Sequence, residues 1–295
     1  MEKYLLSCES PVDLSYSYVN ERGISVINYY YLIDGEPHID DMGKDPNSLN
    51  KFYQFLKEGK LPSTSQVNEF QYEEYFRNLL KQGHNVLHIA FGSGMTQSVN
   101  QAYLAAEIVR KEFPNQDLIV IDSVCSSSGY GMLVDDAYDL MQEGKDIKEI
   151  VKWIEENKTK IQHQFYSTDL KYLKRGGRVS GPAATVGSIL HLCPLMRLNY
   201  AGRIIAYSKV IGKKKAIKSI VDEMEAHAEN GLNYAGKVFI SNSNCLADAE
   251  MCKQEILKRF PNVKEIKIFD IGTVIASHTG PGTVALFFHG DERIK

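Results

Sequence analysis

Long hydrophobic runs are missing from this chain of 295 residues: none approaches the roughly 20 consecutive apolar residues of a membrane-spanning helix. The opening, MEKYLLSCES, is too short and too polar for a secretory signal, so the chain reads as cytoplasmic. Cysteine is scarce as well. Cys8, Cys125, Cys193, Cys245 and Cys252 are odd in number and show no C-x-x-C spacing, which argues against a disulfide framework or a zinc knuckle and for reduced, mostly buried thiols. No charge of one sign dominates. A net charge of -3 supplies no overall basic field for nucleic acid or an anionic membrane, and leaves room only for a local basic patch and transient membrane contact. There is no internal repeat, no low-complexity segment and no P-loop. GKKKAIKS groups Lys213, Lys214 and Lys215 but lacks the second glycine and its spacing, and reads as a helix start.

What is present is an ordinary globular composition, 43% hydrophobic and 24% charged, in a length that suits two domains with a core each. Asn85 to Phe91, NVLHIAF, is a buried-strand pattern followed by GSG and the helical MTQSVNQAYLAAEIVRKEF. Asp117 to Ser123, DLIVIDS, repeats the strand pattern and leads through a Ser/Gly segment into a helix ending near Met141. Strand, turn, helix, strand is the signature of a parallel sheet. His84 and His88 have metal spacing only on a helix, and a strand there removes zinc. The charged helix Asp146 to Ile161 marks the passage into a second half. Its sheet reads as mixed, because Pro194 to Ile211 forms two strands joined at Ala201 and Gly202. KKKAIKSIVDEMEAHAE puts Ala216, Ile217, Ile220, Val221 and Met224 on one helical face, and KVFISN, EIKIFDIG and TVALFF supply further strands. The expected fold is α/β in two domains, 1–160 with a parallel sheet and 161–295 with a mixed one.

In an open parallel sheet, ligands gather at the C-terminal ends of strands. Ser93 in FGSGM stands at such an end, where its hydroxyl and the first-turn N–H groups can hold an anion, or where it simply caps the helix. PSTSQ, Pro62 to Gln66, precedes the helical NEFQYEEYFRNLLKQG and reads as a capping arrangement. In SHTGPGT, Ser277 to Thr283, His278 lies between hydroxyl residues before Gly-Pro-Gly, a turn whose backbone a ligand can approach closely. KRGGRVSG sets Lys174, Arg175 and Arg178 around two glycines, as a solvated turn, a docking patch or a phosphate-facing guanidinium. Asp122, at a strand end, either orients a partner or caps the following turn. Ser93, His278 and Asp122 are also the residue types of a serine hydrolase, although FGSGM is not G-x-S-x-G.

Taken in order, TSQ (Thr64 to Gln66), GSGMTQS (Gly92 to Ser98), VIDS (Val120 to Ser123), YLKRGGRVSG (Tyr172 to Gly181), GKKKAI (Gly212 to Ile217) and SHTGPGT resemble the successive signatures of the DegV family, the FakB-type fatty acid binding proteins. The resemblance covers nearly the whole chain. It implies a two-domain α/β fold with a long-chain fatty acid between the domains and no other cofactor or metal. It further implies a chain that is not catalytic alone but is the carrier subunit of a bacterial fatty acid kinase. A separate ATP-using subunit of the FakA type would phosphorylate the bound carboxylate, and an acyltransferase would use the acyl-phosphate for phospholipid synthesis.

By position, the family's carboxylate ligands match Thr64, Ser93 and His278. The family's N-terminal Asp-Ser-Thr is here Cys8-Glu9-Ser10, the proline after TSQ is Val67, and Met95-Thr96 replace Thr-Tyr, leaving the three ligands in place. Two hydroxyls and an imidazole suit the polar end of a dry tunnel, since they hold a carboxylate without the clamp of a bidentate arginine. Arg175, Arg178 and Arg203 are expected to form a basic rim that meets an acidic surface on the partner. A serine hydrolase using Ser93 and His278, and a self-sufficient kinase related to the dihydroxyacetone kinases, are the alternatives.

Overall fold

A computed structural model describes residues 4–180 and 191–295; Gly181, the last position of the Tyr172–Gly181 motif, lies outside them. The chain begins with β1 (Tyr4–Glu9), α1 (Tyr16–Glu21), β2 (Ser25–Ile27), β3 (Tyr30–Ile33), β4 (Glu36–Ile39), α2 (Ser48–Lys57) and β5 (Ser63–Ser65). It continues with α3 (Glu69–Leu80), β6 (Asn85–Ala90), α4 (Ser98–Glu112), β7 (Leu118–Asp122), α5 (Ser127–Gln142) and α6 (Ile147–Asn157). Then follow β8 (Ile161–Ser167), α7 (Leu170–Gly176), β9 (Val179–Ser180), β10 (Leu192–Leu198), β11 (Ile204–Ile211) and α8 (Lys213–His227). The last elements are β12 (Lys237–Asn242), α9 (Leu246–Arg259), β13 (Glu265–Asp270), α10 (Thr273–Thr279) and β14 (Thr283–His289).

The fold is α/β, with a parallel four-stranded sheet, order β2-β1-β6-β7, and a mixed seven-stranded sheet, order β13-β12-β14-β8-β10-β11-β9. Every residue of β6 is buried, as a strand covered on both faces must be. Its alternate residues sort the layers. Val86 and Ala90 pack with Tyr72, Phe76, Ala102 and Ala106 of α3 and α4, while Leu87 and Ile89 pack with Leu133, Val134 and Ile150 of α5 and α6. His88 shares the first face, so it lies among the rings of Tyr72, Tyr75 and Phe76 rather than on a helix.

The mixed sheet is likewise covered on both faces. Ile217, Ile220, Val221 and Met224 of α8, with Ala249, Cys252 and Ile256 of α9, bury Tyr166, Val284 and Leu286 on one side. The face the sequence assigned to α8 is the face observed. On the other side Phe165, Leu198, Phe239 and Phe287 join Leu6, Phe91 and Tyr130 in one core, so the largest apolar cluster runs across position 160. β10 and β11 form the expected hairpin, with the turn at Ala201 and Gly202.

Three local readings differ from the structure. Ser63–Ser65 is not a cap but the edge strand of a small antiparallel sheet, β4-β3-β5; the cap of α3 is Asn68, which forms a reciprocal box with Gln71. Ser93 does not cap α4 either. Gly92 to Met95 make their own turn, the Thr96 hydroxyl accepts the N–H of Ser98, and the helix starts only there. His278 sits in the last turn of α10, not in the Gly-Pro-Gly turn that follows. No helix among the described residues is long and apolar enough to cross a membrane.

Candidate functional site

A cavity of about 330 Å³ lies where the two sheets meet. Its walls are mainly apolar, with Phe91 and Met95 from the first half facing Phe165, Leu198, Ile275 and Phe287 from the second. One end is polar and is built by Thr64, Gln66, Thr96, Arg178 and His278. No carboxylate is among the described residues that line it.

The polar end depends on two edges meeting. Thr64 is the middle residue of β5, paired with Tyr31, and its hydroxyl lies 2.8 Å from His278 Nε2. Nδ1 of the same ring is buried and has no hydrogen-bond partner among the described residues. Burial first, then the guanidinium groups of Arg178 and Arg175, lower the His278 pKa from 6.5 to about 4, so the ring is neutral at neutral pH. A neutral imidazole has one N–H and one lone pair. With two cations nearby, the arrangement that strands no N–H puts the proton on Nε2, where it is donated to Thr64 Oγ1. The Thr64 hydroxyl is then free to donate its own proton into the cavity. Gln66 is poised similarly: its Oε1 accepts from the Thr96 hydroxyl at 3.2 Å, which leaves the amide N–H groups for another partner. Gly176 permits this packing, since a Cβ there would lie 2.9 Å from His278 Nδ1.

Of the three residues expected to act together, Thr64 and His278 are joined and Ser93 stands apart. Ser93 lines a vestibule of about 410 Å³ that shares Gln66, Met95, Thr96 and Arg178 with the cavity. Its N–H donates to Asp122 Oδ1 at 3.0 Å, and the same oxygen accepts Val124 N–H at 2.9 Å, so Asp122 fastens the turn. These contacts contain no triad: the Asp122 carboxylate serves backbone amides, and His278 bonds to Thr64.

Arg178 and Arg203 both line the vestibule, whereas Arg175 does not; its guanidinium donates to the carbonyls of Pro62 (2.5 Å) and Ser277 (3.5 Å) and braces the His278 helix against β5. Lys213 pairs with Asp248 at 2.6 Å, on the α8 side of the mixed sheet. Among the described residues no group of three or more His, Cys, Asp or Glu side chains is arranged for a metal.

The glycines behave differently from the sequence reading. Gly280 and Gly282 give room to the protein's own Tyr172 ring and Thr168 hydroxyl rather than to a ligand. Gly94 is pressed against the main chain of Gly202, and a Cβ on Gly202 would lie 2.7 Å from Val124 O, so the vestibule is closed on one side by backbone against backbone.

Glu9, given no role by its sequence, is a fully buried hub. It accepts the Tyr29 hydroxyl (2.9 Å), the Tyr72 hydroxyl (2.5 Å) and Phe91 N–H (3.0 Å), and lies 3.3 Å from His88 Nε2. Tyr29 and Phe91 both line the cavity, so Glu9 fixes part of its wall.

A family model described as uncharacterised proteins of the DegV family matches residues 6–291. A DegV domain-containing protein of Clostridium perfringens is 38% identical over 293 residues, 99% of each chain. Among solved structures, a fatty acid binding DegV family protein of Thermus thermophilus is 28% identical with a TM-score of 0.86, covering 98% of this chain and 100% of its own. Another, from Streptococcus agalactiae, is 28% identical with a TM-score of 0.82, covering 99% and 100%.

Proposed function

The chain belongs to the DegV family, and from that premise we propose that it binds a long-chain fatty acid in the cavity, with the carboxylate toward Thr64 and His278. One observation carries this reading: a mainly apolar cavity ends in a hydroxyl–imidazole pair beside Arg178, with no carboxylate among the described residues lining it. Each buried methylene contributes about 0.8 kcal/mol relative to water, so the apolar walls account for affinity while the polar end sets orientation. Thr64 Oγ1 and the Gln66 amide are the neutral donors to the carboxylate, His278 holds the Thr64 hydroxyl outward, and Arg178 supplies charge at the boundary with the vestibule. Ser93, on the vestibule side, reaches the head group only as it emerges.

The vestibule supports a finer role. A carboxylate presented there, between Arg178 and Arg203, is placed for a separate ATP-dependent kinase subunit of the FakA type, and the acyl-phosphate formed would pass to an acyltransferase in the cytoplasm. The chain is then a carrier and not a catalyst. Thr64, Ser93 and His278 are its carboxylate residues, and Arg178 and Arg203 its docking rim, steered by charge toward an acidic partner surface. Arg175 acts indirectly, through the position of His278.

Denaturing extraction of the purified protein followed by mass spectrometry tests the ligand class. About one long-chain acid per chain is expected, and delipidated protein should melt higher when oleic acid is added. Extracts without an acyl chain, together with no melting shift from any long-chain acid, would end the reading. In the same preparation, Arg203→Glu should leave lipid content unchanged and slow acyl-phosphate formation by an added kinase subunit; an unchanged rate removes Arg203 from the docking rim. ATP turnover by the isolated chain would instead favour a self-sufficient kinase.

A further inference from the structure

The far end of the cavity is not what a plain hydrocarbon tail requires. β8 and β14 run antiparallel along one wall, with Thr283 opposite Ser167, Ala285 opposite Phe165 and Phe287 opposite His163. Thr283, Ala285 and Phe287 all line the cavity, as alternate residues on one sheet face should. The Thr283 hydroxyl reaches Thr279 O at 3.5 Å, one residue from His278, so Thr283 marks the head-group end. Four residues at about 3.4 Å each place the Phe287–His163 pair roughly 14 Å deeper. Lining the cavity in that region are Ser126, Ser127 and His163.

Two of these three have their hydrogen-bonding capacity already used. His163 Nδ1 bonds Ile161 O at 2.9 Å and its Nε2 accepts Ser126 N–H at 3.2 Å. Ser127 Oγ donates to Asp13 Oδ2 at 2.5 Å. Ser126 is the exception. It occupies the N-cap position of α5, where a serine side chain ordinarily accepts a helix N–H, yet it caps nothing, and its hydroxyl has no partner among the described residues. The loop that presents it is strained: Val124 at φ 48° and Ser127 at φ 53° lie in the left-handed region, which a β-branched valine rarely adopts. Arg293 holds the Val124 carbonyl at 2.9 Å and Asp122 holds its N–H at 2.9 Å, so the unusual backbone is fixed from both sides.

We infer that the cavity selects an acyl chain bearing a hydroxyl group in its distal half, with Ser126 Oγ as the hydrogen-bonding partner of that hydroxyl. The inference rests on the fatty acid reading above and adds the chemical class of the tail. Ser126 is half-buried in the cavity wall, and an acyl chain that fills the cavity takes water from its hydroxyl and from any hydroxyl on the chain; pairing the two removes both penalties at once. An unsubstituted chain leaves Ser126 unsatisfied. Sites built to hydrogen-bond a ligand group discriminate against the analogue lacking it far more sharply than apolar walls discriminate a methylene.

Calorimetric titration of the delipidated full chain with ricinoleic and oleic acids, which differ by one distal hydroxyl, tests this. Ricinoleic acid should bind about five- to tenfold more tightly. Ser126→Ala should bring the ratio close to one while oleic acid affinity and melting temperature stay near their original values. Across the positional isomers of monohydroxystearic acid, affinity should peak with the hydroxyl beyond mid-chain. Equal affinities in the original protein, a ratio insensitive to Ser126→Ala, or a flat isomer series each overturn the inference while leaving fatty acid binding intact. Failure of both acids to bind overturns the fatty acid reading itself, and this inference with it.

Discussion

The two ends of the cavity each hold a histidine, fully buried at one end and half-buried at the other, and the two are treated in opposite ways. At the far end His163 uses both ring nitrogens, one on the Ile161 carbonyl and one on the Ser126 amide. Burial and the nearby Arg293 hold its pKa well below the usual histidine range, and a neutral ring with both nitrogens bonded is a finished structural part. At the polar end His278 is also neutral at neutral pH, but one nitrogen is bonded and the other is not. A buried polar atom left without a partner is the rarer condition, and here it is the ring nitrogen packed against Gly176. Low pKa alone does not separate the two rings; hydrogen-bond saturation does.

The largest effect that would sharpen this contrast is on stability. His163→Leu removes the partners of Ile161 O and Ser126 N–H at a fully buried position, and should lower unfolding free energy by about 2 to 4 kcal/mol in urea denaturation. His278→Ala loses one hydrogen bond, to Thr64, and should cost about 1 kcal/mol or less. Similar losses in the two variants would break the comparison.

Ligand affinity should order the variants the other way. With the Thr64 hydroxyl no longer held outward, His278→Ala should weaken fatty acid binding about tenfold, a loss near the 1.5 kcal/mol expected for one hydrogen bond to a charged group. The folded His163→Leu protein, measured below its melting temperature, should keep its affinity for oleic acid within about threefold, because His163 lines the far end of the cavity and makes no hydrogen bond to Thr64 or His278. Fluorescent fatty acid displacement measures both, and an unchanged affinity in His278→Ala would take the carboxylate away from that residue.

The smallest effect is a titration. His278 has a folded pKa of about 4 against 6.5 when unfolded, so its contribution to stability is complete above about 6.5 and is lost as pH falls toward 4. A carboxylate bound at Thr64 favours the protonated ring and should raise that pKa by about one unit or more. Proton NMR of the His278 ring in delipidated and oleic acid-loaded protein would detect the rise, and a pKa that stays put on loading would place the head group elsewhere.

Much of this arrangement is readable in the sequence. The βαβ pattern, the β10–β11 hairpin and the buried face of α8 follow from apolar periodicity, which sheet and helix packing enforce directly. Thr64 and His278 were legible through a resemblance in sequence, and Gln66 and Thr96 lie inside the same quoted motifs. Ser63–Ser65 was read as a cap because a three-residue edge strand has no periodicity to show. The strand-end rule singles out Ser93 and the resemblance groups it with His278, but neither gives its depth, and the difference between cavity and vestibule is a matter of how two halves dock. Glu9 and Ser126 carry no local signal at all. Their roles come from partners such as Tyr72 and Phe91 for the one, and from a missing cap for the other, and these exist only once distant strands are side by side.

The glycine contact at the vestibule bears on how such a protein can change. Because Gly94 and Gly202 meet main chain to main chain, one side of that opening is set by backbone geometry, where no side chain can be exchanged to adjust it. The rest of the opening is lined mainly by side chains, and it shares Gln66, Met95, Thr96 and Arg178 with the cavity. Substitutions in those side chains can therefore reshape the space while the backbone side keeps one gauge, so a fixed edge and an adjustable one coexist in a single fold.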